Sequence, residues 1–98
     1  MHFLLRLTPR AESELAALES DPSQTKRLKA VRKTLGLMGT NLKHSGLHTH
    51  KFESMTGPGG EPVFEAYAEN KTPAAFRVFW YYGPGKGILT VVAITPHP

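Results

Sequence analysis

The spacing of apolar positions changes character near residue 46. The run His2–Leu7 (HFLLRL) reads as a strand. Thr8 can cap a helix and Pro9 suits its first turn. Ala11, Leu15 and Leu18 then recur at helical spacing among Glu12, Glu14 and Glu19, so a helix is expected to end near Ser20. A second helix should start at Asp21-Pro22-Ser23-Gln24, with Asp21 as N-cap and Gln24 completing a capping box. Leu28, Val31, Leu35 and Met38 form its apolar stripe, and Gly36 and Gly39 bracket its end. Beyond that, His48–Met55, Val63–Glu69, Ala75–Tyr82 and Gly87–Thr95 read as strands. They are separated by Gly57-Pro58-Gly59-Gly60, Asn70-Lys71-Thr72-Pro73 and Gly83-Pro84-Gly85-Lys86. Short connections imply antiparallel pairing. The expected architecture is α+β: an N-terminal strand and a two-helix hairpin packed on one face of a mostly antiparallel sheet, in a single domain over residues 1–98.

Alternation assigns side chains to faces. Phe64, Ala66 and Ala68 should meet the helices together with Phe76, Val78, Trp80 and Tyr82. Glu65, Tyr67, Arg77, Phe79 and Tyr81 would then share an open face. A carboxylate, an arginine and aromatic rings on one surface suit an anionic, stackable ligand such as single-stranded nucleic acid.

Composition narrows the options. The 98 residues include no cysteine, which excludes disulfides, thiolate metal sites and cysteine nucleophiles. A chain of this length buries about two-thirds of its unfolded surface, so its core is thin. No apolar run is long enough for a membrane span, and Met1–Leu7 is too short for a signal peptide, so a cytoplasmic protein is expected. Residues 1–51 hold nine basic and four acidic side chains, a net +5, whereas residues 52–98 hold three and four, a net −1. Basic charge gathered on one part of a small domain marks either a polyanion partner or a solvated helix face. Lys26, Lys29, Arg32 and Lys33 on the second helix carry much of it, with Lys51 and the histidines His48 and His50 further on. His44, His48 and His50 have the chemistry for a zinc site, but exposed or structural roles are the expectation, with no metal and no cofactor. Gly83-Pro84-Gly85-Lys86 lacks the spacing of a phosphate-binding loop and reads as a hairpin turn.

Four segments, in this order and spacing, resemble the RelE/ParE toxin superfamily across nearly the whole chain. Gly46-Leu47-His48-Thr49-His50-Lys51-Phe52-Glu53 is similar to its "G…HKL" strand, and Phe64-Glu65-Ala66-Tyr67 to its "(Y/W)-E-L-R" strand. Phe76-Arg77-Val78-Phe79-Trp80-Tyr81 resembles "YRVxY", and Val91–His97 resembles a last strand that often ends in His or Tyr. The resemblance implies the toxin of a type II toxin–antitoxin pair, held inactive by a cognate antitoxin. Many such toxins cleave mRNA on the ribosome, whereas others inhibit DNA gyrase. A catalytically inactive binding module on the same scaffold is a third possibility.

Metal-free RNA cleavage needs a base for the 2′-hydroxyl, a cation for the phosphorane and an acid for the leaving 5′-oxygen. Glu65 is the candidate base, matching the family's carboxylate, against the alternative of an ordinary strand glutamate. Arg77, the only arginine after residue 32, is the candidate phosphate clamp; a cross-strand ion pair with Glu65 or Glu53 is compatible with that role. His97 is the candidate acid; Pro96 and Pro98 on either side would stiffen the tail, against the alternative of a terminus that simply frays. His48, His50, Lys51, Tyr67 and Tyr81 are candidate RNA contacts, the tyrosines by stacking or else by packing. Glu65 and Tyr67 stand where the family often has lysines, and the last strand has no arginine. That points to the subgroups with a Glu base and a His acid.

Overall fold

The computed structural model describes residues 2–97. Its elements are β1 (Leu4–Leu7), α1 (Pro9–Glu19), a 3-10 turn (Pro22–Gln24), α2 (Thr25–Thr40), a second 3-10 turn (Ser45–Leu47), β2 (His50–Thr56), β3 (Pro62–Tyr67), β4 (Phe76–Tyr82) and β5 (Ile88–Pro96). The strands form one sheet in the order β1-β5-β4-β3-β2. β1 runs parallel to β5 and the other neighbours pair antiparallel. The α+β expectation therefore holds.

Thr8 caps α1 by accepting from the Ala11 N–H at 3.2 Å, while its hydroxyl donates to the Val92 carbonyl at 3.2 Å. β1 ends at Leu7, opposite Val91, which would leave the next stretch of β5 without a strand on that side. α1 covers it: besides the Thr8 bond, Glu14 Oε1 accepts from the Ile94 N–H at 2.9 Å. One hydroxyl thus closes a helix and fastens it to the sheet. Thr8→Ala should lower unfolding stability by about 1–2 kcal/mol and Thr8→Ser by much less, measured by urea titration.

Asp21 does not begin an α-helix directly. It caps the Pro22–Gln24 turn, accepting from the Ser23 N–H and hydroxyl, and those bonds, the hydroxyl's foremost, hold its carboxyl below the usual aspartate range. The capping box does not form; Gln24 Oε1 instead accepts from Arg27. Gly36 and Gly39 lie inside α2, and at Gly39 the helix backbone meets β1, accepting from the Phe3 N–H at 2.8 Å.

The main core lies between helices and sheet, where Ala11, Leu18, Val31 and Met38 pack on Ala66, Val78, Trp80, Leu89, Val91 and Ile94. The opposite face differs from the open surface expected. Val63, Phe79, Tyr81 and Ala93 are buried there, with Phe52, Met55 and Val92 packed against them. β2 changes register between Lys51 and Thr56, consistent with a bent edge strand that carries Phe52 to within 4.9 Å of the Phe79 ring. β4 is consequently apolar and buried on both sides.

A second irregularity sets the far end of the sheet. Trp80 pairs with Val91 but Phe79 pairs with Ala93, so Val92 is an extra residue in β5. Such a bulge exchanges the two faces of everything beyond it. Ile94 turns to the helices, and Ala93, Thr95 and His97 fall on the face of Glu65 and Arg77.

Candidate active site

Glu65 sits in the middle of β3 and is fully buried. Its register partners are His50 on β2 and Phe79 on β4. Each carboxylate oxygen faces an imidazole, but only Oε2 is hydrogen-bonded. His97 Nδ1 is hydrogen-bonded to Oε2. His50 Nε2 stands 2.7 Å from Oε1, off the hydrogen-bond axis. Arg77 Nε lies 3.7 Å from Oε2. A carboxylate this deep keeps its charge only among compensating groups, and here two imidazoles and a guanidinium supply them.

The two imidazoles are about half exposed, at 46% for the His50 side chain and 48% for His97. His50 Nδ1 also lies 2.7 Å from the His48 carbonyl, so both its nitrogens face acceptors. His97 meets Glu65 through Nδ1, and among the described residues Nε2 has no hydrogen-bond partner. The backbone holds it in place through His97 N–H donating to the Ala75 carbonyl at 3.0 Å, and the Phe52 ring stands edge-on at 6.0 Å. Pro98, expected to stiffen this tail, lies outside the described residues.

Arg77 is 8% exposed. Its guanidinium carbon lies over the Tyr67 ring, 3.7 Å from the centroid, and Nη1 donates to the Glu69 and Phe76 carbonyls. It is held as part of the frame around Glu65, the cross-strand pairing that the sequence allowed. On the outer side of Tyr67, the His48 ring lies at 4.9 Å. His48 is not on a strand, as expected, but at a left-handed backbone position (φ 48°) that ends the Ser45–Leu47 turn. It therefore reaches Tyr67 from the loop, while His50 reaches the same ring from β2 at 6.0 Å.

The remaining candidates scatter. Tyr81 is 3% exposed and its hydroxyl accepts from Arg6 at 3.2 Å, so it cannot stack on a base. Tyr67 is half-buried between Arg77 and His48. Lys51 is exposed on β2, beside Glu53 at 3.8 Å. Lys26, Lys29, Arg32 and Lys33 are exposed on α2, in the helix layer, whereas Glu65 lies on the other face of the sheet. Arg32 pairs with Glu19 at 3.0 Å. Among the described residues, no three His, Asp or Glu side chains are arranged to hold a metal ion.

The strand order, the two helices on one face and the Glu65 centre can be set beside solved structures. A chain of the archaeal RelE–RelB complex from Pyrococcus horikoshii OT3 superposes with a TM-score of 0.64 at 12% identity, over 98% of this chain and 96% of that one. The YoeB dimer from Staphylococcus aureus matches at 0.65 and 9% identity over the full length of both chains. The YoeB/ParE toxin from Agrobacterium tumefaciens matches at 0.68 and 8% identity, over 96% of this chain and 98% of that one. The chain has the RelE/ParE toxin fold. The resemblance drawn from four short motifs thus extends to the three-dimensional arrangement. No protein-family model matches the sequence, and no curated protein matches it either. No helix among the described residues is long and apolar enough to cross a membrane.

Proposed function

We propose that the protein is the toxin of a type II toxin–antitoxin pair and acts as a metal-independent endoribonuclease on mRNA held by the ribosome. The observation that supports this reading is the pair of half-exposed imidazoles on one buried carboxylate, with the His97 ring open on its far side among the described residues. A protein that acts by binding alone, as a gyrase inhibitor would, has no need of such an arrangement.

In the proposed reaction the ribose 2′-oxygen attacks the adjacent phosphorus. The new O2′–P bond forms as the P–O5′ bond breaks, leaving a 2′,3′-cyclic phosphate and a 5′-hydroxyl. The 2′-hydroxyl gives its proton to solvent. His97, charged, delivers its Nε2 proton to the departing 5′-oxygen. Glu65 is covered by the two rings and does not reach substrate. It acts through them, fixing the orientation of the His97 ring, as the buried carboxylate of a catalytic triad does. Arg77 adds positive charge beneath the developing phosphorane. The antitoxin is the proposed partner, and the basic surface of α2 offers long-range attraction for the rRNA backbone or for acidic antitoxin segments.

The test is to add the purified protein to a translating extract and map the mRNA ends. Cuts carrying 2′,3′-cyclic phosphate within ribosome-bound codons are expected, with gyrase supercoiling unaffected. Intact mRNA together with blocked supercoiling would move the protein to the gyrase class.

A further inference from the structure

A cleft of about 700 Å³ opens where the loop after α2 passes the end of β4. Its size falls within the range of small-ligand sites. The proposed reaction does not use it. Phe3, Leu42 and Tyr82 supply apolar wall, Asn41 and His44 supply polar groups, and His48 closes one side. The Tyr82 ring is braced by Phe3 at 6.1 Å and Phe64 at 5.5 Å, both edge-on, yet Tyr82 remains 50% exposed. A large aromatic side chain fixed from two directions and still half bare is a stacking platform without its guest.

On the polar side of the cleft, His44 is also held in place. The Gly46 N–H donates to His44 Nδ1 at 3.0 Å, which leaves the hydrogen of the neutral ring on Nε2. A side chain at Gly46 would come within 3.0 Å of that ring, so the glycine is what lets His44 lie there. Among the described residues no carboxylate lines the cleft, and Lys43 is its one fully charged side chain. An aromatic platform, hydrogen-bonding groups and a single cation match one nucleotide: base, edge and phosphate.

Position selects the occupant. His48 lines the cleft and also lies against Tyr67, whose other neighbour is Arg77 of the Glu65 centre. We infer that the cleft receives an unpaired nucleobase of the same RNA strand whose phosphate lies at the Glu65 centre, stacked on Tyr82 with its edge towards Asn41 and His44. The inference rests on the proposed ribonuclease reading and adds to it a site that discriminates among strands.

The experiment uses the wild-type protein and a short, fully 2′-O-methylated RNA that cannot be cut, with the same strand made abasic as control. Affinities are read by fluorescence anisotropy at one fixed salt concentration. The strand with bases should bind about tenfold more tightly than the abasic one, in keeping with the loss of a stacked base. Tyr82→Ala should remove that difference and leave abasic binding unchanged, whereas Tyr82→Phe should keep it. Equal affinity for the two strands, or a base preference that survives Tyr82→Ala, would overturn the inference. If base preference depends on Tyr82 but the extract shows no cyclic-phosphate ends, the ribonuclease reading falls and the cleft stands as a nucleobase site. If cyclic-phosphate ends appear without that preference, the cleft alone is misread.

Discussion

His97→Ala is expected to slow mRNA cleavage by about 10²–10⁴-fold, the usual contribution of one positioned proton donor. The fold should hardly notice. The side chain is about half exposed, and the backbone bond from His97 to Ala75 does not depend on the ring. The Glu65 carboxylate loses one partner but keeps His50 and Arg77 beside it. The measurement is the single-turnover rate of ribosome-bound mRNA cleavage, taken with a urea melt of the same preparation. An alanine variant that cuts at the wild-type rate would remove His97 from the chemistry. A variant that has lost both activity and its melting transition would show a structural role instead.

Glu65→Ala should do more damage, because it acts on stability and activity together. It leaves the Arg77 guanidinium, 8% exposed, without its carboxylate and opens a void between two strands. Breaking a buried pair in this way costs about 3–5 kcal/mol. We expect the lower end, since both imidazoles can turn to water. Glu65→Gln separates the two effects. The amide fills the same space and still offers an oxygen to one ring, so most stability should be retained. Its amide orients the His97 ring less firmly than the carboxylate does, and cleavage should fall about 10–100-fold, the range found when a group that orients a functional imidazole is removed. Equal rates for Glu65→Gln and wild type would mean that the carboxylate only fills space.

Much of the fold was legible because the apolar positions keep their period. The alternation of Phe64 and Ala66 with Glu65 and Tyr67 does separate the helix side from the other face, and the helix stripes do point at the sheet. The error concerned the second face. Phe79 and Tyr81 read as exposed because no further element was left to cover them, yet the unbroken run Val78–Tyr82 is what a strand buried on both sides looks like. What covers it is the bent edge strand, and a bend leaves only the weak signal of Phe52 and Met55 three residues apart. The site was legible in part. Glu65, Arg77 and His97 do come together, as the motifs suggested, but their roles depend on burial and register. Residue His50 was read as an RNA contact, and its place beside Glu65 follows from strand pairing alone. His97 shares the face of Glu65 because of the bulge at Val92, whose one trace in the sequence is a break of alternation within Val91-Val92-Ala93-Ile94.

The edge position of β2 has a kinetic side. β2 is the last strand of the sheet and has β3 as its only strand neighbour, whereas β4 and β5 are flanked on both sides. Edge strands with broken register open by local fluctuation far more often than a whole domain unfolds. When β2 lifts, it takes His50 with it and lets water reach Glu65, while the pairing of β3, β4 and β5 that places Arg77 and His97 stays closed. The centre therefore spans two lifetimes: a durable half on the inner strands, and a half on β2 that is made and unmade many times within the life of one folded molecule.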